Sequence, residues 1–199
     1  MENITKNERD ILGEISNISL GNAATNLSMM VNHTVNITTP DVKVMSRKQV
    51  LDDYEKTCVF VQIHYIKGLS GNNVFILTEK DVLCLTDLMM GGSGFNTDGE
   101  IGELQLSAIS EAMNQMMGAA ATSMSIMLDI PVDISTPEVN TIDVESVKIF
   151  EKMFADEEDL FVKISFVLDI EDIMKSRFVQ LYPIKFAKDI CPIFKAKKH

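Results

Sequence analysis

Ile11, Ile15 and Ile18 recur at three- and four-residue intervals and are read as the core-facing side of a helix. Asp10, Glu14 and Asn17 follow one another at i, i+4 and i+7 on another side, and Gly21 continues their column at i+11. Thr5 followed by Glu8 has the form of a capping box, which predicts a helix from about residue 6 to 31, roughly 40 Å long. Val35 and Ile37 then alternate with Asn36 and Thr38, the period of a strand, and Pro40 ends that strand or lies on a sheet edge.

The same pattern is written a second time. Shifted by 97 positions, Glu14 falls on Glu111, Asn17 on Asn114, Gly21 on Gly118, Ser28 on Ser125, Val35 on Val132 and Pro40 on Pro137, while Asp10 meets Ser107. Ala108 and Ala112 are the counterparts of Ile11 and Ile15, and Met113 lies beside them. "TCVFVQIHY" resembles "DLFVKISFV", and "NNVFILTEKDVLCLTDLM" resembles "RFVQLYPIKFAKDICPIF", so each half reads as helix, strands and closing helix. The chain is therefore expected to be one domain, 1–199, of two repeats at about 5–92 and 101–195, joined by the glycine-rich "GGSGFNTDGEIGE". The expected fold is α/β (α+β), pseudo-twofold, with an extended mixed or antiparallel sheet packed by helices and the two motif helices side by side on one surface. Gly21, Ala23 and Ala24, like Gly118 and Ala119 to Ala121, are read as making room for another backbone.

Composition narrows the function classes. A net charge of −11 over 199 residues argues against nucleic acid or an anionic membrane as partner, because both need clustered Lys and Arg. The one basic cluster, "KAKKH" at 195–199, reads as a solvated end. Cys58, Cys84 and Cys191 each sit in an apolar run without a CxxC pair, and no apolar run reaches membrane-spanning length, so a cytoplasmic location is expected. His33, His64 and His199 are isolated and suggest no metal site. "GLSGNN" and "GGSG" lack the Lys and Ser or Thr of a phosphate loop, and most of the thirteen methionines are read as core.

The polar column differs from an ordinary solvent face in that Glu and Asn hold their places in both copies although Ile18 faces Gln115 and Asn22 faces Ala119. Asn is also a poor residue for a helix interior. An amide donates and accepts at once and can hold a water molecule at a set angle, and a carboxylate can pair with a partner's cation. That is half an active site: electrophile and metal would come from a partner.

The pattern Asp or Ser, Glu, Asn, Pro, with three, two and twenty-two residues between, occurs at Asp10, Glu14, Asn17, Pro40 and at Ser107, Glu111, Asn114, Pro137. It resembles the signature of the CheC, FliY and CheX family of response-regulator phosphatases. "LSAISEAMNQMMGAAATSMS", "DISTP" and "VQLYPIKFAKDI" resemble the middle domain of the flagellar-switch branch, FliY, more than CheC. The resemblance implies dephosphorylation of a CheY-type receiver whose aspartyl phosphate lies beside its own Mg²⁺. Asn17 and Asn114 would orient the attacking water, and Glu14 and Glu111 would pair with the receiver's lysine. Asp10 and Ser107 would support helix geometry or contact, and Pro40 and Pro137 would be structural. No cofactor is expected in this chain itself. Implied partners are phosphorylated CheY, flagellar switch proteins for a FliY and a CheD-like regulator for a CheC, with a monomer expected and a location at the cytoplasmic face of the motor open. FliY proteins add an N-terminal CheY-binding peptide and a C-terminal switch-docking domain. Neither is read here, which leaves a fragment of such a protein or a stand-alone CheC-like form. The rival from another class is a non-catalytic switch scaffold or CheY-binding adaptor.

Overall fold

The computed structural model describes residues 3–52, 58–141, 144–155 and 159–197, so His199 and the end of the basic tail lie outside the described residues. The elements in order are α1 (Lys6–Val31), β1 (Val35–Ser46), α2 (Arg47–Asp52), β2 (Cys58–Lys67), β3 (Gly71–Thr78) and α3 (Glu79–Met89). They are followed by α4 (Glu103–Leu128), β4 (Asp133–Ile134), β5 (Glu138–Thr141), α5 (Val144–Met153), β6 (Leu160–Ile170), β7 (Met174–Pro183) and α6 (Ile184–Lys197). The second six-part succession repeats the first, with β4 and β5 in the place of β1. The short helices α2 and α5 fall where no periodic signal was read.

Local chemistry explains where the long helices begin and end. The Thr5 hydroxyl accepts the Glu8 N–H at 3.1 Å and the Glu8 carboxylate accepts the Thr5 N–H at 3.0 Å, closing the box the sequence predicts. α1 stops at Asn32 (φ 56°) and α4 at Asp129 (φ 55°), left-handed positions that short polar side chains tolerate. Ser28 donates to Ala24 O and accepts the Val35 N–H at 2.9 Å, tying helix end to strand start. Ser125 does the same with Ala121 O and the Val132 N–H, also at 2.9 Å. The matched serines of the two halves thus have a structural use.

Glu8 also accepts a hydrogen bond from Lys188 of α6 at 3.0 Å. The Thr5 amide, aided by Lys188, holds the Glu8 carboxyl below its ordinary value of 4.5 despite its burial. A lowered folded-state pKa means that the stabilisation is complete above the unfolded value and is lost as pH falls through the folded one. Thr5→Ala is expected to cost about 1 kcal/mol at neutral pH. Urea denaturation at pH 7 and below pH 4.5 should find that Glu8→Gln loses less stability on acidification than the parent.

Among the described residues the strands form one seven-stranded sheet in the order β1-β6-β7-β3-β2-β4, with β5 also paired to β2. Every pairing is antiparallel. The two halves exchange strands: β1 of the first pairs with β6 of the second, and β4 and β5 of the second pair with β2 of the first. Pro40 does not end its strand. It lies within β1, an edge strand, where the register with β6 shifts between Thr38 and Asp41, because proline has no N–H to give the ladder. Pro137 is buried between β4 and β5, where its copy of the strand is interrupted.

One face of the sheet, through Val59, Val61, Phe75, Val162, Ile164 and Phe178, carries the main core under α1, α3, α4 and α6. The other face, through Phe60, Val74, Phe161 and Leu181, packs on Val50 of α2, Phe150 of α5 and Phe154 just after α5. All three cysteines are buried, and burial pushes the Cys84 and Cys191 thiols up to about 11. Ile11 and Ile15 face the core as expected, but Ile18 is 40% exposed. The glycine expectation also needs correcting. Ala23, Ala24, Ala120 and Ala121 are buried at the crossing of α1 and α4, whereas Gly21 and Gly118 are exposed, and a Cβ on either would meet nothing within 4 Å.

Candidate functional site

The helices α1 and α4 lie side by side on the sheet, and two hydrogen bonds set their direction. Asn22 Nδ2 donates to Ser123 Oγ at 2.7 Å, and Asn26 Nδ2 to Gln115 O at 3.2 Å. Moving forward along α1 moves backward along α4, so the pair is antiparallel. The midpoint of that register falls near Ala23 and Ala120, and Asn17 and Asn114 are consequently separated by roughly 15 to 20 Å along the helix axes. The polar columns occupy opposite ends of the helix pair.

Asp10, Glu14 and Asn17 are all exposed, as are Ser107, Glu111 and Asn114. The first three line an open depression between α1 and β1, together with Arg9, Gly13, Asp41 and Val42. The structure therefore brings Asp10, Glu14 and Asn17 together, and Asp41, which follows Pro40 of the signature in the chain, lines the same depression. The motif's proline marks the point at which the edge strand changes register beside the helix. Asp41 pairs with Lys43 at 3.3 Å with both side chains exposed, an interaction worth little to stability.

Three side chains were missed in the sequence. Arg9 and Asp41 line the first depression, and Gln115 Nε2 donates to Glu111 Oε1 at 2.8 Å, holding the second carboxylate from one turn away. A signal for Asp41 was available: an acid follows the proline in both copies, Asp41 after Pro40 and Glu138 after Pro137. Gln115 has no such signal because its counterpart is Ile18. Among the described residues no three His, Cys, Asp or Glu side chains converge as metal ligands. The His33 Nδ1 lies 2.8 Å from Val31 O, at the negative end of the α1 dipole.

Two exposed Glu and Asn pairs, carried on an antiparallel helix pair over one shared antiparallel sheet, define a duplicated protein with two repeat-related polar faces. A model of the CheC-like family matches residues 8–44 and 104–141, the two motif helices with the strands that follow them. The chain is 43% identical over 190 residues to the flagellar motor switch phosphatase FliY of Bacillus subtilis, a match covering 96% of this chain and 50% of that protein. It is 24% identical over 142 residues to the CheY-P phosphatase CheC of the same organism, covering 69% of this chain and 68% of that one. The crystal structure of Thermotoga maritima FliY superposes with a TM-score of 0.92 at 39% identity, covering 98% of this chain and all of that one. The FliM middle domain of H. pylori shares the fold, with a TM-score of 0.71 at 13% identity. The chain belongs to the CheC-like family, and within it is more similar to FliY than to CheC. It spans about half the length of the B. subtilis FliY that it matches.

Proposed function

We propose that this chain accelerates hydrolysis of the aspartyl phosphate on a CheY-type receiver, with Asn17 and Asn114 orienting the attacking water and Glu14 and Glu111 pairing with a cation of the receiver. The observation that carries this reading is the exposed Glu and Asn pair occurring twice, on repeat-related faces, in a chain 43% identical to a flagellar motor switch phosphatase. Phosphoryl transfer asks little covalent help of a protein, and orienting the nucleophilic water is one of its recurring requirements. Asp10 and Ser107 stand one turn before the glutamates and support the contact. Arg9 shapes the first face only, since Leu106 occupies its place in the second, whereas the acid Asp41 recurs there as Glu138.

In this division of labour the Mg²⁺ belongs to the receiver. Titration calorimetry of this chain alone with Mg²⁺ is expected to show no tight site, while hydrolysis in the mixture requires the metal; a tight site on the isolated chain would overturn that assignment. The greater likeness to FliY than to CheC supports a place with the flagellar switch at the cytoplasmic face of the motor. It also favours switch proteins, rather than a CheD-like regulator, as further partners. No described helix is long and apolar enough to cross a membrane. The internal twofold already pairs the two motif helices, and a monomer is the expected state.

The fold shared with the FliM middle domain favours a second reading, a switch scaffold that binds a receiver without hydrolysing its phosphate. Decay of phosphorylated CheY with and without the chain separates the two. Acceleration that disappears in the double variant Asn17→Ala, Asn114→Ala supports the enzyme. No acceleration by the parent chain leaves the scaffold.

A further inference from the structure

The described surface carries few large apolar side chains as exposed as Met29 and Ile126, at 71% and 74%. They are the same position of the two repeats, 97 residues apart. Single exposed hydrophobes are ordinary, but one kept in both copies on helices that carry the polar pairs calls for a use.

The antiparallel register fixes the level of each along the helix pair. Ser123 lies against Asn22 and Gln115 against Asn26, which sets Ile126 level with the turn of α1 that holds Asn17 and Ile18. The twofold sets Met29 level with the turn of α4 that holds Asn114. Ile18, Asn22 and Asn26 form a four-residue stripe that winds around α1 toward α4, where the last two bond, so Ile18 bridges the space between Glu14 and Ile126. In the second copy Gln115 takes that place and holds Glu111 at 2.8 Å.

We infer that each polar pair is flanked by an apolar anchor from the opposite helix, Ile126 serving Glu14 and Asn17 and Met29 serving Glu111 and Asn114, and that these anchors seat an apolar patch of the phosphorylated receiver. The inference rests on the proposed receiver reading and extends it: the docking surface spans both helices, so each site is completed by the other repeat. The receiver is the occupant because anchor and polar pair lie level on neighbouring helices, with Ile18 exposed between them. A domain whose phosphate is reached by Asn17 covers Ile18 and Ile126 as it docks, since an interface of ordinary size buries about 800 Å² per partner. Anchors of this kind bind ground state and transition state alike, so their loss raises KM and leaves kcat in place.

The test is crossed. Hydrolysis of acetyl-phosphate-phosphorylated CheY is measured in two single-site backgrounds, Asn114→Ala with only the first pair and Asn17→Ala with only the second. Ile126→Ser is expected to raise KM about tenfold in the first background and to leave it unchanged in the second. Met29→Ser is expected to do the reverse, and Ile126→Met should restore KM, which rules out misfolding. An Ile126→Ser effect confined to the Asn17→Ala background, or absent from both, overturns the inference. Calorimetric binding of beryllofluoride-activated CheY to the parent and to the Met29→Ser, Ile126→Ser double variant separates this outcome from failure of the phosphatase reading. If the parent gives no hydrolysis, a weaker affinity of the double variant still supports the anchors and an unchanged affinity removes them.

Discussion

With both asparagines replaced by alanine, phosphorylated CheY is expected to decay at the rate it shows alone. If each site supplies about two decades of acceleration, the loss corresponds to roughly 2.7 kcal/mol of transition-state stabilisation, within reach of one oriented water and one ion pair. The single variants should behave differently from members of a catalytic unit. Asn17 and Asn114 are well beyond the distance at which neighbouring substitutions couple, so the observed rate is a sum over two independent sites. Asn17→Ala therefore retains the second site's rate and Asn114→Ala the first's. Those two residual rates, added together, should reproduce the parent, and single-turnover decay followed by loss of phosphate from the receiver measures all four proteins. A single variant as inactive as the double would mean that the two faces act as one site.

Replacing Gly21 and Gly118 with leucine is expected to move stability and activity in opposite directions. Both glycines are exposed in the middle of 26-residue helices, and a Cβ there meets nothing within 4 Å. Glycine costs a helix interior roughly 1 kcal/mol relative to alanine, and leucine is nearly as good a helix former, so each substitution should stabilise the fold by somewhat less than that amount. A helical side chain leans toward the N-terminus and covers the turn before its own Cα. At position 21 that turn holds Asn17, and at position 118 it holds Asn114. Leucine would lie over the amide proposed to orient the attacking water, and hydrolysis should fall at least about tenfold, since small displacements of a positioning group cost that much or more. Urea midpoints and phospho-receiver decay on the same samples check both signs. A fall in activity accompanied by a fall in stability would point to damaged packing instead.

The features legible in the sequence were local or repeated. The limits of α1 followed from Thr5 and Glu8, and the exposed columns followed from helical spacing met twice. Partner choice between strands was not legible. Val35 and Val132 announce strands, but nothing near them says that β1 pairs with β6 of the other half. Ile18 was assigned to the core because periodicity alone does not show where a neighbouring helix ends its cover. The glycines were credited with the close helix crossing that the adjacent alanines provide. Gln115 was invisible as a partner of Glu111 because its counterpart is an isoleucine, so the repeat that exposed the motif hid the difference between its copies. The short α2 and α5 carry too few turns for their pattern to stand out.

The exchange of strands also sets a schedule. β1 ends at Ser46 and its ladder partner β6 starts at Leu160, so more than a hundred residues must be synthesised between them. At 5 to 20 residues per second, β1 leaves the ribosome on the order of ten seconds before the strand that will cover its edge. For that interval the nascent first repeat presents an unpaired strand bearing Val35, Ile37 and Val42. The β6 of a neighbouring chain that has not yet docked its own β1 is then a competitor for it. The twofold that joins the repeats within one chain is equally a route by which two chains trade halves.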